Sequence, residues 1–154
     1  MITVKVQGLD ELKKGLDRAA DELKTIVGDA IRKSGELVKQ NARREAPVFM
    51  GMLKRSVTNE HHGLRTEVYI GSEARKYGYV QEYGRRPGEM PPVSALEKWS
   101  QAKLGDSKLA FVVARSIAQK GTKPQPFFYP GFEKSLPGIE KLLDKAGSKI
   151  INII

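Results

Sequence analysis

The first third of the chain carries apolar residues at every third or fourth position, which is the spacing of one face of an α-helix. Charged residues fill most of the positions between them, so the pattern is amphipathic. Pro47 cannot continue a helix, because it lacks a backbone N–H group. The pattern therefore predicts one helix that ends near Glu45. The apolar stripe consists of Leu9, Leu12, Leu16, Ala19, Leu23, Ile26, Ala30, Leu37 and Ala42.

This predicted helix is long for a chain of 154 residues. At 1.5 Å per residue it would extend about 55 Å, which exceeds the diameter of an ordinary domain of this size. Either the helix breaks near Gly28, where glycine weakens it by about 1 kcal/mol relative to alanine, or another chain covers part of its apolar face. Lys33 and Ser34 fall at positions that would face the partner helix of a coiled coil, where apolar residues are expected. Packing of the helix on a sheet is therefore favoured over a coiled coil.

Three shorter patterns predict β-strands. Residues 2–6 alternate apolar and polar side chains, as a half-buried strand does. Residues 53–58 and 66–71 are predicted to pair as a hairpin, with a turn at residues 61–63, where a glycine follows two histidines.

The second half of the chain predicts several short elements. Residues 77–84 are rich in tyrosine and are predicted as a short helix or strand that leads into an exposed loop. Residues 94–104 and 108–119 predict two helices, the first capped by the serine at its start and each closed by a glycine. Residues 125–130 contain two prolines and predict an extended segment, whereas residues 136–150 predict a closing amphipathic helix.

Composition narrows the class of protein. A chain of this length fits one domain with a real core. The absence of cysteine excludes disulfides, thiolate metal sites and thiol nucleophiles. No apolar run approaches the roughly 20 residues that a bilayer span needs, and the first residues lack the features of a signal peptide. We therefore expect a protein made in a reducing cytoplasm that does not enter a membrane.

The net charge of +9 leaves two interpretations open. Most of the excess lies after residue 45, where seventeen Lys and Arg residues face ten Asp and Glu residues. These cations come in small pairs and never in a run of five or six. The pattern favours a solvated basic face over a dedicated nucleic-acid groove, although a nucleic-acid-binding module remains the alternative hypothesis.

Residues that could carry out catalysis or bind a metal are sparse. His61 and His62 are adjacent, so on a strand they would point to opposite faces and could not share a metal. Neither a phosphate-binding glycine loop nor a G-x-S-x-G nucleophile setting occurs. Glu82, Glu89 and Glu97 are close in sequence, but we expect ordinary solvated glutamates there. The sequence thus predicts no catalytic residue, no metal site and no cofactor, and favours a protein that is not an enzyme.

Two segments pinned by prolines, residues 46–56 and 123–131, combine restricted backbones with dense apolar content. Aromatic, Met and Arg side chains on such segments suit protein interfaces, and a tyrosine and two arginines at residues 83–86 add to them. The candidate interface residues are Pro47, Phe49, Met50, Gly51, Met52, Tyr83, Arg85, Arg86, Phe127, Phe128 and Tyr129.

Four motifs follow one another along the chain. They are a Gly-Leu-x-x-Leu opening at residues 8–12, an Ala-Pro-x-x-x-Gly-x-Leu-[Lys/Arg]-x-Ser signature at residues 46–56, a Tyr-x-x-Glu-x-Gly element at residues 79–84 and a Pro-Phe-Phe-x-Pro-[Ala/Gly] element at residues 126–131. In this order they resemble the tail-completion or head–tail joining proteins of long-tailed phages, also called gene-product-ten-like minor tail proteins. Met50 departs from the family, which often has Thr there.

The resemblance implies an α+β fold within a single domain, residues 1–154. A long N-terminal helix would pack on a small, mainly antiparallel sheet, with a C-terminal helix. Residues 87–120 look like a helical hairpin inserted into the common core.

The resemblance also implies a structural virion protein that assembles in the host cytoplasm and ends in the tail or neck of the virion. It would form a ring, commonly a hexamer, at the head-proximal end of the tail tube. Its partners would be its own copies, the tail-tube protein and the head-closure or connector protein, and passing DNA would contact its lumen non-specifically.

Overall fold

The computed structural model of the protein describes residues 9–47 and 51–153. Helices dominate these ranges, with one antiparallel hairpin among them, so the predicted α+β fold is confirmed. In chain order the elements are α1 (Leu9–Glu45), α2 (Met52–Ser56), β1 (Val57–His62), β2 (Arg65–Ile70), α3 (Arg75–Tyr83), α4 (Ser94–Leu104), a single 3₁₀ turn (Ser107–Leu109), α5 (Ala110–Lys120), α6 (Phe128–Glu133) and α7 (Leu136–Ile151).

Helix α1 confirms the prediction drawn from the apolar stripe. It is continuous over 37 residues, so the break near Gly28 does not occur. The backbone N–H of Ala46 still bonds the carbonyl of Ala42 at 3.0 Å, and the helix ends where Pro47 has no N–H to offer. The predicted strand at residues 2–6 lies outside the described residues.

The predicted hairpin is confirmed in its second strand and corrected in its first strand and its turn, because His61 and His62 are the last two residues of β1 and the turn is at residues 63–64. Strands β1 and β2 pair antiparallel, with Val57 opposite Ile70 and His62 opposite Arg65. The beginning of the predicted first strand instead forms helix α2. The side-chain hydroxyl of Ser56 donates to the carbonyl of Leu53 at 2.7 Å, and the Leu53 side chain is buried.

Helix α1 runs between the hairpin and α7. Gly35 lies against Thr66 of β2, where a Cβ atom would collide with the threonine side chain, and Gly28 lies beside Gly63 at the hairpin tip. On the opposite side of α1, Leu37 lies against Gly138 of α7. Gly35, which weakens the helix by propensity, is therefore the position that lets the sheet approach it closely.

The main core collects residues from distant parts of the chain around the C-terminal end of α1. Phe127 is its largest fully buried side chain. Half-buried side chains of β2 and α6 close it from the outside, so the end of α1, the hairpin and α6 form one packed unit. The core residues are Ala42, Ala46, Leu53, Val57, Ala74 and Phe127, packed against Val68, Ile70 and Phe128.

Helices α4 and α5 form the predicted helical hairpin. Small side chains at Ser100, Ala110 and Ala114 are buried, which lets the two helices pack closely. Gly105 closes α4 in the left-handed conformation, as predicted (φ 79°). The predicted Ser94 cap is wrong, because Ser94 is the first helical residue and no side chain caps the helix.

The predicted extended segment at residues 125–130 is also only partly right. Pro130 is the third residue of α6. A proline is tolerated in the first turn because the N–H groups there have no partner inside the helix. The closing helix α7 is confirmed. Within the described ranges, no helix combines the length and the apolar composition that a membrane crossing requires.

Candidate protein-interaction site

The carboxylate of Glu82 in α3 joins that helix to the start of α6. One oxygen accepts the backbone N–H groups of Phe127 and Phe128 at 2.8 and 2.9 Å, and the other accepts that of Tyr129 at 2.9 Å. These donors have no partner within α6. Glu82 is only 8% exposed, and the three bonds compensate for burying its charge.

This arrangement corrects the expectation that three nearby glutamates are solvated. Glu89 and Glu97 are exposed, but Glu82 is a buried structural group. Sequence reasoning missed its role because the carboxylate and its first donor, Phe127, are separated by 45 residues, and no local pattern reports such a pairing.

Helix α3 has one inward and one outward face. Gly78 and Glu82 are buried. A Cβ atom at Gly78 would lie 2.6 Å from the Cδ1 atom of Ile70, so the glycine allows α3 to lie close to the hairpin. The outward positions fall within about 100° of helix arc and are all exposed: Arg75, Lys76, Tyr79 and Tyr83.

Three exposed tyrosines lie around the Glu82 bonds, and we call them the tyrosine surface. Tyr79 and Tyr83 are 64% and 68% exposed, with ring centroids 4.8 Å apart and planes tilted by 49°. Tyr129, 61% exposed, lies on the first turn of α6 that Glu82 holds. Tyrosine beside cationic side chains is the composition of protein-binding surfaces.

Arg85 and Arg86 follow the tyrosine surface directly. Arg85 exchanges two backbone hydrogen bonds with Thr122, at 3.0 and 2.8 Å, and its guanidinium donates to the carbonyl of Glu89. Its predicted interface position is therefore half-buried and bound within the chain. Arg86 is exposed. Gly121 has a positive φ of 71° and lies against the Arg85 carbonyl, where a Cβ atom would clash.

The three aromatic residues predicted at the second interface segment, residues 123–131, differ in how far they are buried. Phe127 is 0% exposed, so its assignment to an interface was wrong: it fills the core of the protein, where burying an apolar ring stabilises the fold most. Phe128 is half-buried, with its ring edge-to-face on Phe127 at 6.2 Å. Among the three aromatic residues of this segment, Tyr129 is the one whose side chain remains exposed.

The first predicted interface segment is described in part. Phe49 and Met50 lie outside the described residues. Pro47 is half-buried, and Met52 at the start of α2 is exposed. Gly51, in front of α2, adopts a left-handed conformation with φ 64° that glycine enters without steric cost.

No cluster of three or more His, Asp or Glu side chains in residues 9–47 and 51–153 is placed to hold a metal ion. His61 is half-buried and His62 is exposed on the opposite face of β1, as the strand predicts. His62 lies 3.7 Å from the carboxylate of Glu60.

Hydrogen bonds shift the pKa values of Tyr69 in β2 and Glu36 in α1, and neither side chain belongs to the tyrosine surface. The hydrogen bond to Glu60 raises the pKa of Tyr69. The hydrogen bond from Lys39 lowers the pKa of Glu36. The Tyr69–Glu60 pair joins β2 to β1, the Lys39–Glu36 pair lies within α1, and neither points to a reacting group.

Comparison of the chain with protein-family models, with curated proteins and with solved structures finds no match. The function is therefore argued from the residues and contacts of this chain.

Proposed function

We propose that the protein is a structural virion component of a long-tailed phage. It forms a ring, most simply a hexamer, at the head-proximal end of the tail tube. The ring completes the tail and joins it to the head-closure or connector complex, with DNA passing through its lumen. The observation that carries the proposal is the set of bonds from Glu82, which tie the motif at residues 79–84 to the motif at residues 126–131.

The signature at residues 46–56 belongs to the same packed unit. Ala46 and Leu53 are buried beside Phe127, and Gly131 lies directly on the backbone of Ala42. Three motifs that are far apart in sequence thus contribute to one core. This supports reading them as parts of one fold, because motifs present by chance would have no reason to meet.

The length of α1 supports assembly. Residues 13–18 are all exposed, and Leu16 of the apolar stripe is 62% exposed. The hairpin tip meets α1 at Gly28, where a Cβ atom would lie 3.4 Å from the carbonyl oxygen of Gly63. An apolar side chain in water, such as that of Leu16, is stabilised when another chain covers it, and closed cyclic symmetry provides such a neighbour for every copy.

The experiment that tests the proposal combines imaging with a surface variant. Purified protein is mixed with tails that lack it, and rings on tail ends are examined by electron microscopy. A Tyr79→Ser/Tyr83→Ser variant should keep the unfolding midpoint, since both rings are exposed. It should lower tail joining by about tenfold or more, as expected for the loss of two aromatic anchors.

Phe111→Ser is the matched control, because Phe111 is an exposed aromatic residue on α5, outside the tyrosine surface. It should leave joining close to that of the unsubstituted protein. A protein that never caps tails would contradict the proposed function. A double tyrosine variant that joins tails normally would show that the tyrosine surface is not the docking site.

One observation favours the alternative of a nucleic-acid-binding module. Between residues 75 and 123 there are ten Lys and Arg residues against four acidic ones. Within the described part of the chain none of these ten cations is in a salt bridge. Binding of duplex DNA that falls steeply with salt, in a protein that never caps tails, would favour this alternative.

A further inference from the structure

The two-stranded sheet has two outer edges, and the ladder fixes which backbone groups point to them. Gly71 donates to the carbonyl of Ser56 at 2.8 Å, just beyond the pair formed by Val57 and Ile70. Since paired and unpaired positions alternate in an antiparallel ladder, every second residue faces an edge. The outward positions are Val57, Asn59 and His61 on β1, and Thr66, Val68 and Ile70 on β2.

The edge of β1 is partly occupied by side chains of α1. Arg43 donates through Nε to the carbonyl of Val57 at 3.0 Å. The side chain of Asn59 accepts from Lys39 at 2.9 Å and donates to Glu36 at 3.0 Å. A strand that approached this edge would meet a fixed polar network.

The edge of β2 differs from that of β1 within the described residues. Among the described residues, no hydrogen bond reaches the outward backbone groups of Thr66, Val68 or Ile70. An unpaired edge is a template for another strand, and a two-stranded sheet is only marginally stable by itself. Within the described ranges, β2 therefore offers a strand-sized acceptor.

The chain also contains a strand-sized donor. Residues 1–8 lie outside the described part, and their sequence places Ile2, Val4 and Val6 in alternation with polar residues. Val68 and Ile70 turn their side chains toward the core beside α1. A strand added to β2 with its apolar side chains on that face would extend the core, and its polar side chains would face solvent.

A subunit cannot deliver this strand to its own sheet. Helix α1 is continuous from Leu9, and Gly28, beside the hairpin tip, is already about 28 Å away along its axis. Thr66 lies beside Gly35, about 39 Å from Leu9. The link from Val6 to Leu9 spans at most about 11 Å, so the subunit's own β2 edge is out of reach.

We propose that residues 2–6 of one copy pair as a third strand with the free edge of β2 in a second copy. The first half of α1 acts as the arm that carries the strand across to its neighbour. This inference rests on the proposed assembly of copies and names the contact that holds them together. Main-chain hydrogen bonds provide the affinity, and the alternating apolar side chains select the face.

The test uses disulfides between copies, because the chain has no cysteine of its own. Protein carrying Val4→Cys is mixed with protein carrying Val68→Cys, and the mixture is oxidised. Side chains on neighbouring strands have Cβ atoms about 4.5–5.5 Å apart, close to disulfide range. A shift of the donated strand by two residues along β2 would keep the same side chains on the same face. Val6→Cys and Ile70→Cys are therefore tested as well.

Two matched controls define the expected result. Lys5→Cys points to the opposite face of the donated strand, and Asn59→Cys lies at the β1 edge. Cross-linking of the Val4 or Val6 variants to the Val68 or Ile70 variants should be at least about tenfold faster than in either control, because pairing holds the thiols at high effective concentration.

The outcomes separate this inference from the proposed function. Oligomers that light scattering detects without any such cross-link would overturn the strand exchange. They would not contradict the proposed ring at the end of the phage tail. Cross-linked copies that never cap tails would support the exchange and count against the phage role. A Val4→Cys/Val68→Cys variant that closes a disulfide within one dilute chain would also overturn it.

If the protein stays monomeric at every concentration, the probe is a synthetic peptide of residues 1–8 carrying Val4→Cys. It should cross-link to the Val68→Cys protein, whose acceptor edge is empty in the monomer. Failure of this peptide to react faster than its Lys5→Cys counterpart would end the proposal.

Discussion

At the residue scale, Gly131 sets how closely α6 approaches α1. A Cβ atom there would lie 2.5 Å from both the backbone nitrogen and the Cα atom of Ala42. Backbone cannot move aside as a flexible side chain can, so only glycine fits this position. The contact holds α6, and with it Phe127, against the end of α1.

We expect Gly131→Ala to lower the free energy of unfolding by about 2 kcal/mol, the usual cost of overpacking a close contact. The matched control is Gly147→Ala in α7, where a Cβ atom would meet nothing within 4 Å. That variant should be more stable by about 0.5–1 kcal/mol, because alanine is the better helix former. Urea unfolding measures both, and equal shifts in the two variants would refute the argument.

Glu82 is the second residue whose chemistry is fixed by its surroundings. Glu82→Gln keeps the shape of the side chain but removes the charge and turns an amide N–H group toward backbone donors. We expect a loss of about 3 kcal/mol in unfolding free energy, since hydrogen bonds to a charged acceptor contribute about 1.5–3 kcal/mol each. Exposed Glu97→Gln should change it by less than about 0.5 kcal/mol. A Glu82 variant as stable as that control would contradict the capping role.

At the element scale, helices with a long apolar stripe were predicted correctly from the sequence and short helices were not. α1 and α7 carry long apolar stripes, and both were confirmed. Helices α2 and α6 are five and six residues long, too short for a periodic signal. Pro130 led us to predict an extended segment there. The helix forms because the carboxylate of Glu82, in a distant part of the chain, accepts hydrogen bonds from the first N–H groups of α6.

The two halves of α1 should differ in stability. The second half is packed between the hairpin and α7, whereas residues 13–18 of the first half are exposed and include Gly15, where a Cβ atom would meet nothing within 4 Å. We expect Gly15→Ala to slow amide hydrogen exchange in residues 11–20 by about fivefold, the equivalent of about 1 kcal/mol of helix propensity. The midpoint of global unfolding should stay unchanged.

Hydrogen-exchange mass spectrometry on the full chain checks this, with Gly147→Ala as the comparison. That substitution lies within the packed body and should raise the global midpoint. A raised midpoint for Gly15→Ala without a local change in exchange would mean that the whole of α1 unfolds together with the body.

At the scale of the whole molecule, the fold class could be predicted but much of the site could not. Tyr83, Tyr129, Met52 and Arg86 were expected at a surface and are exposed. Phe127 was expected there too and is buried. Neighbouring aromatic residues at the start of a helix point in different directions, and their composition alone does not say which of them enters the core.

The antiparallel bridge between Arg85 and Thr122 has a consequence for how the molecule tolerates change. The chain leaves the body at one of these residues and re-enters at the other, and two hydrogen bonds join them. Residues 86–121 are thus a closed side branch whose ends stay together whatever lies between them. Its length and sequence can diverge, or be replaced by a foreign module, while the order in which the remaining elements meet stays the same.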